Sequence, residues 1–257
     1  MPVTRTDDGV SIAYRMHGTG PRSLVFLHAW SASGSYFDET IANLDATAMR
    51  AVTLDLRGHG DSDKPDTELT WERLARDVFA VADDVTAEAF VAVGHSMGGK
   101  LAQYLPLVDP SRVEALVLVA SPSAGELPTP TFVAEWVELA GNPQAFVDTT
   151  ITPYLRRPVP EHVLRLFGEN AAKVPRAYLE RTMNLVSSTS FIERLHSVRI
   201  PVLVVSSDQD PVHSTESDIV ASLPNARLEI LDSGPEIPME LPAQLAHVIE
   251  EFVAELS

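Results

Sequence analysis

Apolar residues along the chain fall into two alternating patterns. Short runs such as Leu24-Val25-Phe26-Leu27, Leu116-Val117-Leu118-Val119 and Val202 to Val205 are continuously apolar, as strands covered on both faces are. Between them lie longer stretches with helical spacing: Leu74, Val78, Val81 and Val85 recur behind Thr70-Trp71-Glu72-Arg73, where Thr70 suits an N-cap. The pattern predicts strands over Val10–His17, Ser23–His28, Arg50–Leu56, Ala89–Val93, Val113–Ala120, Pro201–Val205 and Arg227–Leu231. It predicts helices over Ser35–Leu44, from Thr70 through Val85, and over Met97–Val108, Ser214–Ser222 and Pro238–Leu256. Strands alternating with helices imply crossover units and a mostly parallel sheet, an α/β fold with helices on both faces.

The segment 121–199 breaks this alternation. It carries prolines at 122, 128, 130, 143, 153, 158, 160 and 175, has helix-like stretches between them, and contains no convincing strand. It reads as a helical insertion between two strands, so the expected organisation is a core of 1–120 and 200–257 with a cap over 121–199. Ligands of open α/β sheets sit beyond the carboxyl ends of the strands, and an insertion leaving from there would form a lid.

Composition narrows the function. The net charge is −17, with 19 Lys+Arg against 36 Asp+Glu and no basic run. Such a chain repels polyanions and anionic lipid, which argues against a nucleic-acid or membrane-surface partner. The absence of cysteine removes disulfides, thiol nucleophiles and thiolate metal sites. No apolar run approaches the roughly 18 residues of a bilayer span, and the polar N-terminus lacks a signal-type apolar core. The expectation is a cytoplasmic protein. With no phosphate loop, metal triad or dinucleotide fingerprint, no cofactor is implied, and the oligomeric state stays open.

The sharpest motif is Gly94-His95-Ser96-Met97-Gly98, set between an apolar strand and a helix. In that context G-x-S-x-G forms a tight elbow that lifts the serine hydroxyl above the sheet. Further signatures follow in order: Leu27-His28-Ala29-Trp30, Asp55-Leu56-Arg57-Gly58-His59-Gly60-Asp61-Ser62, Ser207-Asp208-Gln209-Asp210-Pro211, and Ser233-Gly234-Pro235-Glu236-Ile237-Pro238-Met239-Glu240-Leu241-Pro242. Together they resemble the α/β-hydrolase superfamily, more narrowly its small serine esterases, lactonases and cofactor-free perhydrolases, over nearly the whole chain.

The resemblance implies Ser96 as nucleophile, the backbone N–H groups of Trp30 and Met97 as oxyanion donors, and Asp210 as the acid, with Asp208 as runner-up. Ala29 stands where the family usually has Gly. His28 and His59 read more readily as loop scaffolding, although His28, with Trp136 and Tyr154, is also a candidate substrate contact. The ring of His95 is expected to point away from the nucleophile. The insertion offers Phe132, Trp136, Phe146, Tyr154, Leu164, Phe167, Tyr178 and Met183 as wall candidates, which favours an apolar or aromatic ester or lactone.

The base should follow Gly234, but that residue is Pro235. Proline can neither accept nor donate a proton at its side chain. In a serine protease, loss of the triad histidine costs about 2 × 10⁶ in kcat. Three readings remain open. Pro235 replaces histidine in an otherwise intact hydrolase, which is then impaired. The base has moved, to His213 or the adjacent Glu236, with His196 and the solvent-facing His247 less suited. Or the chain is a non-hydrolytic relative that binds a ligand, or performs lyase- or isomerase-type chemistry, in the same pocket.

Overall fold

The structure, a computed structural model, describes residues 1–128, 133–208 and 216–256. Eight strands form one sheet: β1 (Val3–Arg5), β2 (Ser11–His17), β3 (Arg22–Leu27), β4 (Met49–Leu54), β5 (Phe90–His95), β6 (Val113–Val119), β7 (Val202–Ser207) and β8 (Ala226–Leu231). Their order is β1-β2-β4-β3-β5-β6-β7-β8. The first two strands run antiparallel to their neighbours, and all pairings from β4–β3 to β7–β8 are parallel. Every residue of β5 and β7 is buried, so the middle of the sheet is covered on both faces, as its unbroken apolar runs require. Edge strand β8 is instead covered only in part, leaving Leu228 and Ile230 exposed.

The helical core elements are α1 (Asp38–Ile41), α2 (Trp71–Asp84), α3 (Met97–Val108), α8 (Glu216–Ser222), α9 (Ile237–Glu240) and α10 (Pro242–Ala254). Helix α2 packs on α3, and α1 packs on α10. Leu74, Val78, Val81 and Val85 are all buried on one stripe of the α2 region, and the Thr70 hydroxyl accepts a hydrogen bond from Arg73 N at 3.1 Å. Thr70→Ala should therefore cost about 1 kcal/mol in urea unfolding, and Thr70→Ser should cost little.

Two expected elements differ in detail. The expected helix over Ser35–Leu44 is a 3₁₀ turn (Gly34–Phe37) followed by the single turn of α1. The expected helix over Pro238–Leu256 is broken into α9 and α10, because Pro242 forces Leu241 out of the helical region, to φ −132° and ψ 49°. Strand β1 is not among the expected strands, being too short to show periodicity.

Between β6 and β7 the described residues form no strand. They form α4 (Val133–Leu139), α5 (Pro143–Thr150), α6 (Glu161–Ala171) and α7 (Arg176–Ser188). This insertion is tied to the core at both ends by Lys100 of α3. The Lys100 ammonium donates to the carbonyls of Gly125 (2.7 Å), Val186 (2.6 Å) and Thr189 (3.0 Å) and is wholly buried. Burial lowers its pKa from 10.5 to about 8, with Glu126 opposing. The unfolded chain therefore holds this proton more tightly, so the stability of the native protein rises as pH climbs from about 8 to 10.5. Relative to Lys100→Met, the wild type should gain about 3 kcal/mol across that window, at about 1.4 kcal/mol per pKa unit. Urea unfolding of both proteins at pH 7.5 and 10.5 measures this difference. No helix among the described residues is long and apolar enough to cross a membrane.

Candidate active site

Ser96 occupies the turn between β5 and α3 with φ 51° and ψ −118°. This left-handed conformation is unusual for a residue with a side chain and costs of order 1–3 kcal/mol unless its surroundings enforce it. The surroundings do so here. Ser96 N donates to Val119 O at 3.0 Å, and Ser96 O accepts from Gly99 N at 2.8 Å. The flanking glycines are required by close approach: a Cβ on Gly94 would lie 2.3 Å from Gly98 O, and one on Gly98 would lie 2.1 Å from Leu27 O. The bend thus places the serine at the carboxyl edge of the sheet, facing a cavity of about 320 Å³.

The cavity floor is formed by Ala29, Trp30, Ser31, His95, Ser96, Met97, Ala120, Pro235 and Glu236 from core loops. Its roof is formed by Leu127, Val133, Trp136, Phe146, Thr150, Ile151, Tyr154, Phe167, Met183, Val186 and Ser187 from the insertion. The Trp30 ring packs against those of Trp136 and Phe146, at centroid distances of 6.3 and 6.4 Å, and Trp30 Nε1 donates to Leu179 O at 3.0 Å. Neither Trp30 N nor Met97 N has a hydrogen-bond acceptor among the described residues. Met97 N is also the first amide of α3, at the helix end that favours negative charge.

Several expected site residues are brought to this cavity: Ser96, Trp30, Met97, Pro235, Trp136 and Tyr154, together with Phe146, Phe167 and Met183. Leu164 and Tyr178 lie outside its wall. Tyr178 instead covers Gly58, where a Cβ would meet its ring at 2.0 Å. Asp210, His213 and Phe132 lie outside the described residues. The runner-up acid, Asp208, is exposed and pairs with Arg156 at 3.6 Å.

His28 is corrected as a substrate contact. Its ring is fully buried and is not in the cavity wall. Leu56 N donates to Nε2 (3.0 Å), and Nδ1 donates to Ala29 O (2.8 Å). Both nitrogens hold loops together, and burial pushes the pKa down to about 4. His59, with ring centroid 5.0 Å from that of His28, is likewise pushed by burial to about 3. His95, expected to turn its ring away from the serine, directs that ring at Tyr36 and Pro235. Its ring stacks on Tyr36 at 4.9 Å, and Nε2 donates to Pro235 O at 2.9 Å. The residue contributes to the same cavity wall as Ser96.

Two features were not read from the sequence. The first is the pairing of Tyr36 with Glu236, in which the Tyr36 hydroxyl donates to Glu236 Oε2. Burial and the neighbouring carboxylate push the Tyr36 pKa well up, so the phenol stays protonated. The second is Glu240, whose Oε2 accepts from Arg156 N and Arg157 N, both at 2.8 Å, and so joins the insertion to α9.

A mostly parallel, two-face-covered sheet with a serine on a strained strand-to-helix bend under an apolar roof defines an α/β protein with a small-molecule site at the strand ends. The Alpha/beta hydrolase family matches residues 24–248, and the chain belongs to that family. It is similar to a non-heme chloroperoxidase of Streptomyces lividans (27% identity, 82% of this chain and 83% of the relative). It is similar also to 3-oxoadipate enol-lactonase 2 of Acinetobacter baylyi (28% identity, 96% and 94%). Among solved structures, the enol-lactonase from Burkholderia xenovorans LB400 shares the fold with TM-score 0.85 at 18% identity, covering 98% of this chain and 100% of that one.

Proposed function

We propose that this chain is a carboxylic ester or lactone hydrolase that forms an acyl-enzyme on Ser96 and is slowed because Pro235 stands where a histidine is expected. The observation that carries this reading is the positive-φ serine facing an apolar cavity beside two backbone donors with no acceptor among the described residues. Such donors stabilise an oxyanion without reorganising as it forms. In this reading Ser96 Oγ attacks the acyl carbon, Trp30 N and Met97 N bind the oxygen that becomes negative, and Asp210 is the acid of the constellation. Segment 121–199 acts as the cap. Its aromatic inner surface suits a small apolar or aromatic acyl or alcohol group, consistent with the enol-lactonase among the relatives.

Reaction with a fluorophosphonate, followed by mass spectrometry of the peptide, tests the reading. A single adduct at Ser96 is expected, together with p-nitrophenyl acetate turnover that falls to the buffer rate in Ser96→Ala. Turnover unchanged in Ser96→Ala sinks the proposal. Pro235 itself favours a second reading, ligand binding without hydrolysis, which predicts saturable occupation of the cavity by an ester that is recovered intact.

A further inference from the structure

We infer that Glu236 is the proton acceptor for Ser96, held in place by Tyr36; this rests on the acyl-enzyme reading above. The family arrangement calls for an imidazole at residue 235, and none is present. Glu236, the next residue, lines the cavity together with Ser96. Its backbone is fixed, because Glu236 O accepts from Met239 N (2.9 Å) and Glu240 N (3.0 Å). Its carboxylate is fixed by the Tyr36 hydroxyl. Tyr36 is itself buried and stacked on His95, and His95 Nε2 holds the carbonyl of Pro235. One closed set of contacts therefore runs from the residue before the nucleophile to the carboxylate.

The described imidazoles do not offer a better acceptor. His95 is engaged at Nε2, which donates to the Pro235 carbonyl, and its ring lies stacked on Tyr36. His28 and His59 are buried away from the cavity. His162 and His247 lie on the surface beside Glu39 and Glu251, and His17 and His196 are also exposed. Carboxylates serve as general bases when a side chain places them within reach of the proton they take.

The step balances without a co-reactant. As the Ser96 Oγ–carbon bond forms, the Oγ proton passes to the Glu236 carboxylate. Collapse of the tetrahedral intermediate breaks the bond to the leaving oxygen, which takes that proton. Water then attacks the acyl carbon while giving a proton to Glu236; the bond to Oγ breaks, and the proton returns to Ser96. Tyr36 is a positioning residue. Its hydroxyl donates to the carboxylate, a hydrogen bond that favours the charged form.

The test is the pH profile of kcat/KM for p-nitrophenyl acetate with the wild type, Ser96→Ala, Glu236→Gln, Tyr36→Phe, His213→Ala and the double variant Pro235→His/Glu236→Gln. Wild-type activity should rise with pH through the carboxyl range, below about pH 6, whereas an imidazole at 235 would move that limb to near its ordinary value of about 6.5. Glu236→Gln should lose about 10²-fold or more. The double variant should regain activity, showing that the Gln form still folds. Tyr36→Phe should shift the acid limb upward in pH, which a purely packing role would not do. The inference is overturned if Glu236→Gln keeps activity within about threefold, or if His213→Ala alone abolishes it. In either case a wild-type rate that still depends on Ser96 leaves the acyl-enzyme reading standing, while a rate unchanged in Ser96→Ala removes both.

Discussion

Pro235→His is expected to raise p-nitrophenyl ester hydrolysis by about 10²–10⁴-fold, the range a positioned general base supplies, and Ser96→Ala on that background should erase the gain. Position 235 is already prepared for the exchange. Its carbonyl is held by His95 Nε2 at 2.9 Å, and Gly234 before it fits closely, since a Cβ there would lie 2.1 Å from Tyr154 O. The backbone of the loop is thus held by contacts that do not involve the proline ring. Replacing that ring restores an N–H and adds an imidazole at the cavity wall. Steady-state assays of the single and double variants decide the matter. No gain from the histidine would mean that proton transfer is not what limits this site.

Asp77→Ala should destabilise the protein by about 3–5 kcal/mol, the cost of leaving a buried charge without its partner. The Arg57 side chain is wholly excluded from water. Its Nε meets Asp77 Oδ2 at 2.5 Å, its Nη2 meets Oδ1 at 2.7 Å, and its Nη1 meets Asp8 at 3.0 Å. Burial works against the guanidinium charge, but the two carboxylates outweigh it and hold the pKa above the usual arginine value. Without Asp77 the cation keeps only the half-exposed Asp8. The loss should appear as a lower urea midpoint at unchanged m-value. It should also reach the site, because Asp55, two residues before Arg57, accepts from Gly34 N at 2.7 Å and from Asp61 N at 2.8 Å, and so binds this turn to the loop after β3. Asp77→Asn, which keeps part of the hydrogen bonding, should lose less.

What the sequence revealed and what it hid divide along physical lines. Local signals carried well. Helix α3 spans Met97–Val108 as its apolar spacing indicates, the cap at Thr70 forms, and the glycines around Ser96 mark a bend whose crowding only they tolerate. Signals that depend on distant partners did not carry. Tyr36 and Glu236 are 200 residues apart, and nothing in either neighbourhood announces their pairing. His28 reads more readily as loop scaffolding than as a ligand contact, but the partners that hold its ring, Leu56 N and Ala29 O, are visible only in the fold. Lys100, an unremarked residue in a helix, proved to be a buried tie because three carbonyls arrive from elsewhere in the chain. Pro242 is a local signal too, yet the apolar spacing runs on across it, and the break at Leu241 appears only in the backbone.

The tie at Lys100 has a consequence for engineering. Because one amine grips both the departing and the returning segment of the roof, the two ends of that roof are presented to the rest of the molecule as a single socket. A foreign helical hairpin grafted between residues 126 and 185 would keep those carbonyls in place and would have to replace the ties of Arg156 N and Arg157 N to Glu240 and of Leu179 O to Trp30. The roof can then be exchanged as a cassette, with selectivity for bulky or slender guests changing while the floor beneath it stays as it is.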